Sequence, residues 1–188
     1  GLIISSTLFA LLQTLISRIA LLWETSKGLP SRTLSSSESP IFIIGHWRSG
    51  TTLLHELLCS FSEFKSPTTY QCFCPQHFLL TERVVTTLFS WVIPKTRTFD
   101  SVTLDWSSPQ EDEFALLMLG APSPYRRIAF PCFGDQLEGL DINKLSLKQK
   151  EYWCQSLVLF VKRLMFNDPR RLILKSPTHT ARISILLK

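Results

Sequence analysis

The chain has 188 residues, 45% hydrophobic and 19% charged, so it can bury one core and carries no disordered block. A net charge of +5 and a pI near 9.1, with no dense Lys/Arg run, argue against nucleic acid and suit a small polyanion or an anionic membrane surface. Five cysteines without regular spacing exclude a disulfide framework, and Cys72, Cys74 and His77 lack the second ligand pair a metal site needs, so no metal is expected.

Residues 2–23, LIISSTLFALLQTLISRIALLW, read as an apolar helix. On a helical wheel Ser6, Gln13, Thr14, Ser17, Arg18 and Glu24 gather on one side, with Leu8, Leu12, Leu15, Ile16, Ile19 and Trp23 on the other. Arg18 and the polar stripe favour a helix lying on a membrane surface, or docked on the rest of the protein, over a span. No small-residue cleavage site follows, which argues against a signal peptide. The organisation read from the sequence is an amphipathic helix at 1–24, a Ser/Pro/Gly linker at 25–39 and a domain at 40–188. The matching location is the membrane periphery or the cytoplasm.

Ile41–Ile44 is an unbroken apolar run, as in a buried parallel strand. Leu53, Leu54, Leu57, Leu58 and Phe61 share one face of the helix that follows. Residues 62–80 read as an aromatic-rich loop, and 81–92 as a helix ended by Pro94. A further helix is expected after Ser107/Ser108 as cap, with Pro109 in its first turn and Glu111, Asp112 and Glu113 near the positive end of its dipole. GAPSPYRRIAFP reads as a loop, 146–166 as a long amphipathic helix stopped by NDP, and RRLILK as a second buried strand. Ser176-Pro177 then opens a third strand-associated helix. Strand, loop and helix thus occur twice, which predicts an α/β, P-loop-like three-layer fold, helix-rich, with a central parallel sheet. Beginning at Gly1 and stopping within ISILLK, the chain reads as a fragment incomplete at its C-terminus.

The chemistry concentrates in PIFIIGHWRSGTTLLHELL, residues 40–58. A strand-to-helix turn with Gly45 and Gly50 lets backbone N–H groups converge on an anion, helped by the helix N-terminus. Ser49, Thr51 and Thr52 add hydroxyls, and Arg48 adds a guanidinium suited to two-point oxyanion contact. The ATP-binding version, G-x-x-x-x-G-K-[ST], has lysine where this chain has Thr51. The second strand also ends in Lys175 rather than in a magnesium-holding aspartate. An atypical kinase or nucleoside triphosphatase is the weaker reading for both reasons. A non-catalytic, membrane-associated protein that keeps the loop as scaffold is another. Side-chain cations without a metal carboxylate fit a nucleotide whose transferable group is a sulfuryl.

PIFIIGHWRSGTTLLHELL, SPQEDEFALLMLGAPSPYRRIAFP and RLILKSPTHTARISILL together resemble the PAPS-dependent sulfotransferases, in the branch similar to tyrosylprotein sulfotransferases. The resemblance covers Pro40 to Leu187. It implies PAPS (3′-phosphoadenosine 5′-phosphosulfate) as donor and PAP as product. Gly45, Arg48, Ser49, Gly50, Thr51 and Thr52 match the loop that cradles the 5′-phosphosulfate. Arg48 matches an arginine facing the sulfuryl group, and Lys175 a lysine that stabilises the bridging oxygen. In the family's cytosolic branch a histidine base follows in Lys-x-His; here His179 stands four residues after Lys175, which leaves its role open. The family's 3′-phosphate ligands, an arginine and a later serine, fall past the end of this chain, so the fragment is expected to be weak or inactive alone.

Sulfuryl transfer needs orientation, cations and usually a base. Base candidates are Glu111, Glu113, His179, His55 and His77, with Glu111, Glu113 and His179 in front and not separated from one another. Tyr70, Phe73, Phe78, Trp106 and Tyr125 are candidates for lining an acceptor or adenine pocket. Arg126 and Arg127 are expected in water. The acceptor class is open among carbohydrate, lipid, phenol and peptide tyrosine.

Overall fold

The computed structural model describes residues 2–35, 38–89, 91, 105–132 and 139–187. Helix α1 (Leu2–Ser26) precedes strand β1 (Ile41–Ile43), helix α2 (Thr51–Cys59) and strand β2 (Phe64–Lys65). Helices α3 (Thr69–Phe73), α4 (Phe78–Leu88), α5 (Asp112–Met118) and α6 (Arg126–Ala129) follow. A 3₁₀ turn at Ile142–Lys144 leads into α7 (Leu147–Leu164), then strand β3 (Arg171–Lys175), a 3₁₀ turn at Pro177–Ala181, and α8 (Ile183–Leu186). The strands form a parallel sheet in the order β1-β3-β2, so the fold is α/β and helix-rich, as expected.

Central β3 is apolar because it is covered on all sides: Leu172, Ile173 and Leu174 are fully buried. The core around it joins Trp153, Leu157, Phe160 and Val161 of α7 to Ala115 and Leu116 of α5 and to Tyr70 and Phe78. Helix α7 begins where its sequence dictates. Ser146 accepts from the Gln149 N–H, and the Gln149 side chain accepts from the Ser146 N–H, closing a capping box.

Four local expectations differ from the structure. The stretch 62–80 is not one loop: it holds β2, α3 with its own Thr68/Gln71 capping box, and the start of α4. Helix α4 begins at Phe78, earlier than expected, and Pro94 lies outside the described residues. Ser107/Ser108 do not cap a helix. The Ser108 carbonyl accepts from the Thr69 N–H at 2.9 Å, and the Gln110 N–H donates to Pro67 at 2.9 Å. Backbone groups engaged across to α3 cannot begin a helix, so α5 starts at Asp112, with Glu111 as its extended N-cap. GAPSPYRRIAFP also contains a short helix, α6.

Candidate active site

Parallel pairing of Ile43 with Lys175 brings the C-terminal ends of β1 and β3 to one edge of the sheet. Open α/β sheets hold ligands at that edge. From β1 the chain turns through residues 44–50 with Arg48 at φ 64° and Gly50 at φ 86°. The left-handed region is easy for glycine and uncommon for arginine, and turns of this kind aim successive N–H groups to one side. Gly50 precedes α2 with no side-chain cap bond, so the first-turn N–H groups of α2 are left uncapped by side chains at this edge. A Cβ at Gly45 would sit 2.7 Å from Thr51 Cγ2 and 3.0 Å from Ser49 Oγ, so the loop closes tightly over that position. Ser49 donates to the His46 carbonyl at 2.6 Å, and the Gly45 N–H donates to Thr180 Oγ1 at 2.8 Å. The second bond ties the loop to the turn after β3.

Lys175 stands at the junction of these elements. Its Nζ donates to Glu111 Oε1 at 2.7 Å and reaches Thr52 Oγ1 at 3.4 Å. The other carboxylate oxygen, Glu111 Oε2, accepts from the Tyr125 hydroxyl. Burial, and then the Glu111 charge, push the Tyr125 phenol well above its ordinary value, so it remains a proton donor to Glu111. The Glu111 side chain is 17% exposed and the Lys175 side chain 3%, so an incoming group reaches the pair from the carboxylate's side.

Behind that pair lies a fully buried polar layer. His179 Nε2 donates to Asp112 Oδ2 at 2.6 Å. Arg182 binds both oxygens of Glu113 and the Gly139 carbonyl, and its guanidinium lies 5.0 Å over the Trp153 ring. Thr178 donates to Glu113 Oε2 at 2.7 Å. For His179, burial disfavours the charged ring, but the Asp112 carboxylate outweighs it and holds the pKa above the ordinary 6.5. A raised folded pKa means stability that is fully present below about 6.5 and lost as pH rises through the folded value. The denaturant midpoint is therefore expected to fall as pH rises above the ordinary histidine range. Asp112→Asn or His179→Gln should flatten that slope, measured by urea unfolding at a series of pH values.

The structure brings Arg48, Ser49, Gly50, Thr51, Thr52, Lys175 and Glu111 to one edge and places the other base candidates elsewhere. Glu113 and His179 are fully buried in ion pairs, and His55 is buried within α2. His77 bonds Gln13 at 2.6 Å and Thr81 at 2.9 Å, at the seat of α1. Of the aromatic candidates Tyr125 alone touches a site side chain. Tyr70 packs on Trp106 and bonds Thr81, and Phe78 is in the core. Phe73 reaches Tyr125 only through Phe114, at ring distances of 5.5 and 5.1 Å. Asp112, expected with Glu111 and Glu113 at a helix start, pairs with His179, while Thr178, Thr180 and Arg182 carry the rest of the site's framework unanticipated. Their signal in the sequence is the run of donors in SPTHTAR directly after a strand.

A profile described as the sulfotransferase family matches residues 40–188, a range that includes the loop, Glu111 and Lys175. The chain belongs to the sulfotransferase family. Relatives of this sulfotransferase domain include the omega-hydroxy-beta-dihydromenaquinone-9 sulfotransferase Stf3 of Mycobacterium tuberculosis and that of Mycobacterium bovis. Each is 44% identical over 153 residues, which cover 81% of this chain and 39% of the relative. The chain thus spans about two fifths of the length of the curated relatives it matches. No solved structure matches this sulfotransferase chain.

Proposed function

We propose that the full-length protein transfers a sulfuryl group from PAPS to a hydroxyl, with Glu111 as the base. The observation that carries this reading is the Lys175–Glu111 contact of 2.7 Å beside Thr52, at the mouth of an anion-binding loop. The donor fits the residues present: uncapped N–H groups of α2, the Thr51 and Thr52 hydroxyls, and a loop whose Gly45 has no room for a side chain. PAPS supplies an activated sulfuryl group bonded through an oxygen that leaves carrying negative charge.

Within the chain, the loop N–H groups and hydroxyls hold the 5′ end of the donor, and Arg48 offsets charge around the sulfuryl oxygens. Lys175 has two competing anionic partners, the carboxylate of Glu111 and whatever anion occupies the loop. Drawing Lys175 toward that anion removes one donor from Glu111 Oε1. A carboxylate that loses a hydrogen-bond donor becomes a stronger base. Glu111 is then ready to accept the acceptor's hydroxyl proton, with Tyr125 holding its other oxygen in place. Donor binding and base activation are coupled through one lysine.

The relatives' name specifies an omega-hydroxy menaquinone, and the acceptor proposed here is likewise a hydroxyl on an apolar lipid chain. The test is radiolabelled sulfate transfer from PAPS by the full-length protein, across lipid, phenol, carbohydrate and peptide acceptors. Glu111→Gln is expected to lower kcat on the preferred acceptor by about a hundredfold or more, within the range for losing a positioned general base. PAP affinity should not fall, because Lys175 is then no longer shared with a carboxylate. Near-normal turnover by Glu111→Gln would remove the base assignment, and a lack of transfer to any lipid would remove the acceptor class.

A further inference from the structure

Helix α1 is seated on the domain by its polar side. Gln13 bonds His77 at 2.6 Å, Ser17 donates to Gln76 at 2.9 Å, and Ala20 is buried between. One helical turn later Arg163 holds Glu24 through two bonds, at 2.8 and 2.9 Å, with both side chains buried. A surface helix of a globular protein ordinarily does the reverse, with its apolar stripe inward and its polar face in water. Here the outward residues are Leu8, Leu11, Leu12, Leu15, Ile19 and Leu22, each between 52% and 73% exposed. At 100° and 1.5 Å per residue they form a ridge about 100° wide and about 21 Å long.

We propose that this ridge lies on a phospholipid bilayer, with α1 parallel to the surface and the domain on the side away from the lipid. The inference rests on α1 alone and holds whatever the acceptor is. Exposed apolar patches of this extent mark protein or membrane contact sites. Three observations favour lipid. The ridge is wholly aliphatic, with no polar position to set a register against a protein partner. Leu8, Leu12, Leu15, Ile19 and Leu22 do follow heptad spacing, but for only about two heptads, short of the three or four that define a coiled coil. Arg18, exposed at the border of the ridge, and the net charge of +5 suit anionic headgroups.

The segment Ser5–Ser26 is long and apolar enough to span, with a mean hydropathy of 1.5. A span would be surrounded by lipid, whereas α1 is joined to the domain along one side by Gln13, Ser17 and Glu24. Seating also places the bilayer near the chemistry. Gln76, which holds Ser17, also donates to the Met118 carbonyl at the end of α5. Glu111 caps the other end of that helix, about 10 Å away at 1.5 Å per residue.

The test is cosedimentation of the full-length protein with vesicles of phosphatidylethanolamine and phosphatidylglycerol. The wild type is expected in the lipid pellet and released by alkaline carbonate, and L12Q/L15Q/I19Q is expected to lose at least about tenfold in partition. The single variant Leu15→Lys should change in the same direction, and PAP binding and the urea midpoint should stay unchanged in both variants. Wild type left in the supernatant, or variants that pellet equally well, overturns the proposal. So does resistance to carbonate, which means a span. A lipid-free dimer in sedimentation velocity that L12Q/L15Q/I19Q makes monomeric also overturns it, because a second copy then covers the ridge.

Discussion

Lys175→Ala in the full-length protein is expected to lower sulfuryl transfer by at least about a hundredfold, the scale of losing one preorganised donor in a transition state. The reason is positional. Lys175 is nearly buried at the end of the central strand, and its ammonium lies between Glu111 and Thr52. Water cannot replace it from the protein side. Arginine should not rescue, because a planar fork does not fit a slot shaped for a point charge. A second consequence separates this residue from a structural one: without Lys175, Glu111 keeps Tyr125 as a donor but loses its ion pair, so the pH profile of kcat should shift along with the rate. Steady-state kinetics with labelled PAPS measure both. Transfer within tenfold of wild type would remove Lys175 from the mechanism, and a lost rate with an unchanged pH profile would uncouple it from Glu111. Arg48→Ala is expected to lose rate on the same scale while leaving that profile in place.

The second large effect is on stability. Glu113→Gln or Arg182→Met is expected to destabilise the fold by about 3–5 kcal/mol, because each leaves its partner charged and buried. Both side chains are fully buried, and Arg182 also holds the Gly139 carbonyl and packs on Trp153. Urea unfolding gives the value. Glu111→Gln provides the contrast: its carboxylate is partly exposed, so that variant should lose less stability than Glu113→Gln while losing turnover. The reverse pattern, stable Glu113→Gln with lost transfer, would exchange the roles assigned to the two glutamates.

Those two glutamates mark the limit of what could be read from the chain alone. Glu111, Asp112 and Glu113 are consecutive acids at a helix start, and nothing local distinguishes them. In the fold they diverge by about 100° per residue and meet three different cations. Glu111 meets Lys175, Asp112 meets His179, and Glu113 meets Arg182. Every one of those partners lies at or after the end of β3, more than sixty positions along the chain. His179 looked as suitable a base as Glu111 because its sequence distance from Lys175 is short. It is buried because the 3₁₀ turn directs it toward Phe42 and Trp153 rather than toward the loop.

The N-terminal helix divides the same way. Periodicity showed a polar and an apolar side, and left docking and membrane contact equally open. Only the positions of His77, Gln76 and Arg163 decide that the polar side is the one that docks.

By itself the sequence determined what is encoded by near neighbours. It specified two parallel strands, a glycine turn with Thr51 at the P-loop lysine position and Arg48 inside it, the long amphipathic helix and the family resemblance. All of these depend on residues within about one element of one another, where backbone preference and burial pattern act directly. The tertiary structure alone decided which of several equivalent ionisable groups stands partly exposed beside the loop and which is locked inside. Charge pairing across distant segments sets that outcome, and it exists only once β1 and β3 lie side by side.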